Sequence, residues 1–507
     1  MTSANATAAP SAGQNITRVR SGSAATSVRR EFARHAVIHT AMNLGALACS
    51  GALAFVLPRF LNVSDYGYYR IFLLYGSFAG VLHLGFLDGL LLRWAARPVT
   101  RLRNELPGAL TFLGIEQLIV VVPLVVGFAL LLPRSDMLLI LAIASYAVVW
   151  NWTALGQYVL QALKLFTHLS FFTILPPLTL LLAAVALRRA DHLDLEKLIL
   201  VCLLSNLATA GFLWIFVRSR VPASTRGRRR VWSAGLSHVG LGWSVVSANL
   251  LATAALSLDR LILSREAPIR EFAIYSFAAN ALALTYNMIL SVARVLFPYL
   301  SDGIPMEVRI RTYFTGGRIL LLLWSGGLAA YFPIAWLVTR WLPQYVQSLP
   351  LMRILMLATG FTASIHVLHS NYFRVARKQN RFLYGTVAGL ALASVFLAIA
   401  MRSGNLENYA WAMAASSLGW WIVNEFLLRD VLLHNGHRIF GTLALTLPSA
   451  AAFLLCTALQ NRVAGFLLYG AFVAALFGAA GRTILRYVRL PRFQFPFGQS
   501  TENVSLD

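Results

Sequence analysis

GALTFLGIEQLIVVVPLVVGFALLL (residues 108–132), PRSD (133–136) and MLLILAIASYAVVWNWTALGQYVL (137–160) read together as two membrane-spanning helices joined by a tight turn. The two apolar runs hold 25 and 24 residues, and Glu116 is the sole formally charged side chain in either. About 20 apolar helical residues are enough to cross the hydrocarbon of a bilayer. The runs are long and continuous, without period-two alternation, so they point to helices and not to the strands of a barrel.

The same reading extends outward along the chain. Fourteen candidate spans lie at 36–57, 71–92, 108–132, 137–160, 168–187, 196–217, 237–262, 271–297, 316–338, 349–371, 382–401, 408–428, 439–460 and 463–485. The composition agrees: of 507 residues, 58% are hydrophobic and 12% charged. A soluble protein carries roughly 25% charged residues. A soluble enzyme, a disulfide scaffold and a disordered chain are thereby excluded, and a polytopic all-α membrane protein is expected. The three cysteines, Cys49, Cys202 and Cys456, sit singly inside apolar runs and read as small buried hydrophobes.

The charge is +24, from 43 Lys and Arg against 19 Asp and Glu. With the N-terminus in the cytoplasm, about 29 basic residues fall on the cytoplasmic side and about 12 outside, the asymmetry expected of an even helix count with both termini inside. RGRRR at 226–230 therefore reads as a positive-inside loop that anionic lipid can assist, and nucleic acid is not assigned as a partner. The Ser/Ala/Thr-rich segment 1–35 reads as a disordered basic tail.

The chain weakly repeats itself. Pro58-Arg59-Phe60-Leu61 followed by Asp65-Tyr66-Gly67 is echoed by Asp259-Arg260-Leu261-Ile262 followed by Ala273-Ile274-Tyr275. Six spans separate the two units, so the repeat is parallel, with a pseudo-two-fold axis along the membrane normal. The expected organisation is an N-lobe at 36–217 (spans 1–6), a basic cytoplasmic linker at 218–236, a C-lobe at 237–428 (spans 7–12), two further helices at 429–485 and a tail at 486–507. Two six-helix lobes in a V enclose a cleft, the place where transporters bind cargo and alternate access.

Polar residues inside spans are costly and tend to face a cavity or one another. Asn280, Asn287 and Arg294 form one stripe of span 8, and Asn249, Thr253, Ser257 and Arg260 one stripe of span 7. Span 1 carries His39, Asn43 and Ser50, and span 2 carries His83, Asp88 and, at its cytoplasmic end, Arg93. Arg294, Arg260, Arg93, Asn249, Asn280, Asn287, His39 and Asn43 are the candidates for lining the cleft. Asp88, Asp259 and Glu116 are the candidates for carrying a coupling ion, and Glu425 is a fourth carboxylate inside the membrane. His366 and His369 share a face of span 10, but no carboxylate joins them in that span, so no metal site is assigned. Gly76-x-x-x-Gly80 and Gly85-x-x-x-Gly89 would let a neighbouring backbone approach span 2 closely. No Walker A loop, GxSxG, HExxH or CxxC is present, so no catalytic residue and no cofactor is assigned.

Pro58-Arg59-Phe60-Leu61, Asp65-Tyr66-Gly67 and Leu84-Gly85-Phe86-Leu87-Asp88-Gly89-Leu90 with Arg93 resemble the start of bacterial oligosaccharide flippases of the multidrug/oligosaccharidyl-lipid/polysaccharide (MOP) superfamily. Leu258-Asp259-Arg260-Leu261-Ile262-Leu263, Tyr275-Ser276 and Arg294-Val295-Leu296-Phe297-Pro298 resemble the corresponding start of their second lobe. The resemblance implies translocation of an undecaprenyl-diphosphate-linked oligosaccharide, for O-antigen-type surface polysaccharide, with no bond made or broken. It implies a lipid-linked substrate, membrane lipids, and a polysaccharide polymerase and glycosyltransferases as partners. Arginine suits a diphosphate through its forked geometry. Span 1 contains no Asp, Glu, Lys or Arg, which departs from the drug/cation antiporters and the lipid II flippases of the superfamily. A drug/cation antiporter is the main alternative; a polymerase or ligase would need a large external loop, and none is visible.

Overall fold

The computed structural model describes residues 41–94, 99–131, 137–221, 231–280, 306–376, 378–432 and 437–488. An apolar chain in lipid must satisfy its backbone internally, and it does so here by helix throughout, with no strand among the described residues. In chain order the helices are α1 (Ala41–Phe60), α2 (Val63–Gly76), α3 (Phe86–Trp94), α4 (Val99–Leu131), α5 (Met137–Ala162), α6 (Phe166–Arg189), α7 (Leu195–Arg220), α8 (Val231–Glu266) and α9 (described over 269–280). They continue as α10 (Met306–Leu328), α11 (Tyr331–Trp341), α12 (Ser348–Ser364), α13 (Ser370–Val375), α14 (Gln379–Met401), α15 (Leu406–Leu432), α16 (His437–Ala458) and α17 (Arg462–Val488).

Ten runs are long and apolar enough to cross a membrane, counting α10 with α11 and α12 with α13, and the bent pair α2 and α3 makes an eleventh. The chain is a multi-pass membrane protein. Three expected spans fall outside that set for separate reasons. α9 is described only to Asn280. The apolar part of α16 is short, Thr442–Ala458. α15 has the length but buries Ser416, Ser417, Asn424 and Glu425, and it packs between α12 and α14.

In the N-terminal half α5 packs on α4, α6 and α7, whereas in the C-terminal half α16 and α17 pair beside α10. The halves meet along α8, which lies against α2, α3 and α4. The start of α7 is fixed by Asp194, which accepts from the Lys197 amide at 2.8 Å and from Lys197 Nζ at 2.7 Å. Those Lys197 hydrogen bonds hold the Asp194 carboxyl below the usual carboxylate range. The segments 222–230 and 489–507 lie outside the described residues, as does the expected tail 1–35.

Span 2 differs from the expected single helix at 71–92. It starts at Val63 and is bent by 54° between α2 and α3. Leu84 (φ 47°) and Gly85 (φ 85°) both occupy the left-handed region at the break, a conformation that costs a non-glycine residue about 1–2 kcal/mol. Side chains take up the backbone groups that the break releases: the Gly85 amide donates to His83 Nδ1 at 3.2 Å, and Gln117 Nε2 donates to the Leu82 carbonyl at 3.4 Å.

The reason for the bend lies opposite it. A Cβ on Gly89 would strike the His238 carbonyl, and one on Gly242 would strike the Gly85 carbonyl. α3 and α8 therefore cross backbone to backbone, the small-residue packing read from Gly85-x-x-x-Gly89, with Gly242 as an unanticipated third member.

Candidate functional site

Two polar constellations occupy the seam between the halves. The first sits near the ends of α2, α8 and α9 that adjoin residues 61–62 and 267–268. Here Tyr66, Phe277 and Tyr345 form an aromatic plug, with Tyr66 and Tyr345 at 5.5 Å and Phe277 and Tyr345 at 4.7 Å between ring centroids. Loop contacts reinforce it: Arg59 donates to the Trp341 carbonyl at 3.2 Å, and Gln344 donates to the Pro58 carbonyl at 3.1 Å.

One turn below Tyr66, Arg70 of α2 donates through Nη1 to Asn280 Oδ1 of α9 at 3.1 Å. Arg260 of α8 is close enough for the two guanidinium groups to repel each other. Arg260 donates through Nη2 to the Leu256 carbonyl (2.9 Å) and to Ser257 Oγ (3.0 Å), and its Nε lies 3.7 Å from Asp259. Asp259 is fixed in turn, accepting from Tyr275 Oη at 2.7 Å and from the Arg260 amide at 2.7 Å. The Nε atoms of both Arg70 and Arg260 are buried without a hydrogen-bond partner. The cluster of Arg70, Arg260 and Asp259 thus holds two guanidinium groups against one carboxylate, with donors to spare.

The second constellation lies at the α3–α8 crossing. His83 accepts the Gly85 amide on Nδ1, which leaves Nε2 as the protonated nitrogen of a neutral ring, and Nε2 faces Asp88 at 3.9 Å. Tyr158 Oη of α5 donates to Asp88 at 3.5 Å. Arg93 lies 3.5 Å from His238 Nε2 of α8, and Trp94 Nε1 donates to Glu105 at 3.0 Å. These contacts join α3 and α8 near the N-terminal end of α8.

The remaining candidates are dispersed. Glu116 is buried in the N-terminal half beside Gln117, whose Oε1 accepts from Asn151 Nδ2 at 3.2 Å. Asn43 is half-buried on α1, and Asn249 is exposed on α8. His39, Asn287 and Arg294 lie outside the described residues. Arg260, Asp259 and Asn280 come together, Asp88 and Arg93 share the crossing, and Glu116 reaches the break of span 2 through Gln117, whose Nε2 lies 3.5 Å from Glu116 and 3.4 Å from the Leu82 carbonyl.

Arg70 is the member of this cluster that sequence reasoning missed. It fell among the external loop cations because span 2 was expected to begin at residue 71. Its spacing of four from Tyr66, within a helix that begins at Val63, is the signal that places it on the same helical face. The missed partner set is also instructive: Arg70 and Asn280 are 210 positions apart, and no local periodicity connects them.

An excess of cation at the meeting of three spans can hold an anionic headgroup in place of water.

No family model matches the chain, and no curated protein matches it. Solved structures do. The lipid II flippase MurJ in an inward closed conformation superposes with a TM-score of 0.66 at 12% identity, covering 88% of this chain and 99% of that one. An inward-facing multidrug resistance MATE family transporter of the MOP superfamily gives a TM-score of 0.58 at 14% identity, covering 78% of this chain and 98% of that one. An outward-facing transporter of the same description gives 0.53 at 13% identity, covering 78% and 95%. The chain has the fold of the MOP-superfamily transporters.

Proposed function

We propose that the chain flips an undecaprenyl-diphosphate-linked oligosaccharide across the bacterial inner membrane, for surface polysaccharide of the O-antigen type. The lobes at 36–217 and 237–428 rock against each other where α8 of the second meets α2 and α3 of the first, with both termini in the cytoplasm. Arg70 and Arg260 supply the observation that carries this reading, because two guanidinium groups whose buried Nε atoms make no hydrogen bond form a ready recognition element for a diphosphate. Arg93 attracts the headgroup at the cytoplasmic gate, and Asn280, with Asn43 and Asn249 along the path, bonds phosphate or sugar. The lipid tail stays in the bilayer while the head crosses, and no covalent bond changes. A lipid II flippase among the structural neighbours supports a lipid-linked cargo. Glycosyltransferases make that cargo and a polymerase consumes it.

Coupling is assigned to Asp88, which sits beside His83 and Tyr158 at the break of span 2, with Asp259 and Glu116 as further carboxylates in the membrane. The same buried carboxylates favour a second reading, a drug/cation antiporter, which the MATE neighbours support. Reconstitution separates the two. Purified protein in liposomes is given a fluorescent undecaprenyl-diphosphate oligosaccharide and, separately, a lipophilic cation under a proton gradient. The flippase reading predicts that the lipid-linked sugar crosses and the cation does not; the reverse result establishes the antiporter.

A further inference from the structure

Arg353 stands inside span 10 on one stripe of α12 with Leu349, Met356 and Gly360, at steps of four, three and four. That stripe packs against α10 and α11. Tyr331 Oη donates to the Leu349 carbonyl at 3.5 Å, Trp324 Nε1 donates to the Met356 carbonyl at 3.3 Å, and a Cβ on Gly360 would strike the Trp324 ring. Leu349, Met352, Met356 and Tyr331 are all buried. In these apolar surroundings Arg353 is half-buried, and its Nε is buried without a hydrogen-bond partner.

A second arginine arrives from the last pair of helices. Asn461 caps α17 by accepting from the amides of Val463 (3.0 Å) and Ala464 (3.2 Å), which sets Arg462 at the first position of the helix. Arg462 Nη1 donates to Thr339 Oγ1 and, at 3.3 Å, to the Ala335 carbonyl of α11. Tyr331 lies within electrostatic reach of both Arg353 and Arg462. Among the described residues no carboxylate pairs with either arginine. On the same α11, Trp336 and Trp341 are exposed, and such residues sit at the level of the lipid headgroups.

We propose that Arg353, Arg462 and Tyr331 hold the phosphate of an anionic phospholipid where α11, α12 and α17 meet. Charge argues for an anion, because a partly enclosed cation in apolar surroundings is costly until a counter-charge joins it. Geometry selects phosphate, whose oxygens match the paired N–H donors of a guanidinium group. Donors are at hand: Arg462 spends only Nη1 on the protein, and the long Tyr331 hydrogen bond can be exchanged for a phosphate oxygen. The place selects a lipid. Val463 and Leu467 of α17 are exposed beside Trp336 of α11, so acyl chains gain an apolar surface that free phosphate cannot use. A phosphate held by Arg353 and Arg462 bridges α12 to α17 and fastens the last two helices to the C-terminal half. The site shares no residue with the cluster of Arg70, Arg260 and Asp259, and it needs no cargo.

The test places the full-length protein in phosphatidylcholine vesicles that hold a minor share of phosphatidylglycerol with a photoactivatable headgroup, and maps the cross-linked peptides by mass spectrometry. Adducts are expected on α11 and on the turn between α16 and α17. They should fall by about tenfold or more in Arg353→Gln and in Arg462→Gln, the loss of a hydrogen bond between charged groups, and by less in Arg353→Lys. If Arg353→Gln does not fold, the variant at exposed Arg462 carries the comparison. Equal adducts in the wild type and the folded variants would overturn the proposal, as would equal adducts from a photoactivatable phosphatidylcholine; Arg353 would then be a side chain that reaches water along its own stem. Loss of the adducts on adding inorganic phosphate would also overturn it, because the ligand would then be a free anion.

Discussion

Arg70 and Arg260 hold their charge in different ways, and the difference can be measured. Arg260 spends its Nη2 on its own helix and on Ser257, with Asp259 alongside, whereas the described hydrogen bond of Arg70 goes across the seam to Asn280. Replacing Arg70 by Ala removes a charged donor facing the cargo, an interaction worth about 1.5–3 kcal/mol. The initial flipping rate in liposomes is expected to fall by about 10- to 150-fold, while protein yield stays unchanged. Arg70→Lys keeps the charge without the fork and falls between. A wild-type rate in Arg70→Ala would remove this residue from the path. Tyr275→Phe probes structure instead of transport: it strips a donor from buried Asp259 and is expected to cost about 1–3 kcal/mol in thermal stability. An unchanged melting temperature would show that Asp259 finds another donor.

In the proposed rocking cycle, the cytoplasmic side closes where α3 and α8 cross backbone to backbone. Gly85, Gly89 and Gly242 leave no room for a side chain there. Gly242→Leu should hold the two helices apart. With Cys49, Cys202 and Cys456 replaced, His238→Cys reports the change, since His238 is only 4% exposed in the closed seam. Labelling by a membrane-impermeant maleimide is expected to quicken several-fold when Gly242→Leu is added; an unaltered rate would show that other contacts set the closure. This element also marks where sequence reading stops. The apolar length of each span and the small residues of span 2 are written locally, in periodicity and composition. The break at Leu84 is not, because an ordinary leucine is held at φ 47° by what packs around it. Tyr313, His369 and Glu425 also meet only through packing: His369 and Glu425 are legible singly, whereas Tyr313 precedes the expected span at 316–338.

At the scale of the whole molecule, loop charge predicts the orientation of the chain, and cysteine accessibility checks it. Ser403→Cys should label in intact cells, and Ser224→Cys only after permeabilisation; the opposite pattern would invert the topology and the direction of transport. The central claim is that cargo passes between two halves that part at the aromatic seam. Arg59 and Gln344 lie on opposite sides of that seam, each bonded to the chain across it. The decisive measurement joins Arg59→Cys to Gln344→Cys with a short, reductively cleavable bis-maleimide in a background lacking the native cysteines, and follows flipping of the lipid-linked oligosaccharide in liposomes. The account predicts that the tether stops flipping and that reduction restores it. Undiminished flipping with the tether intact would contradict it.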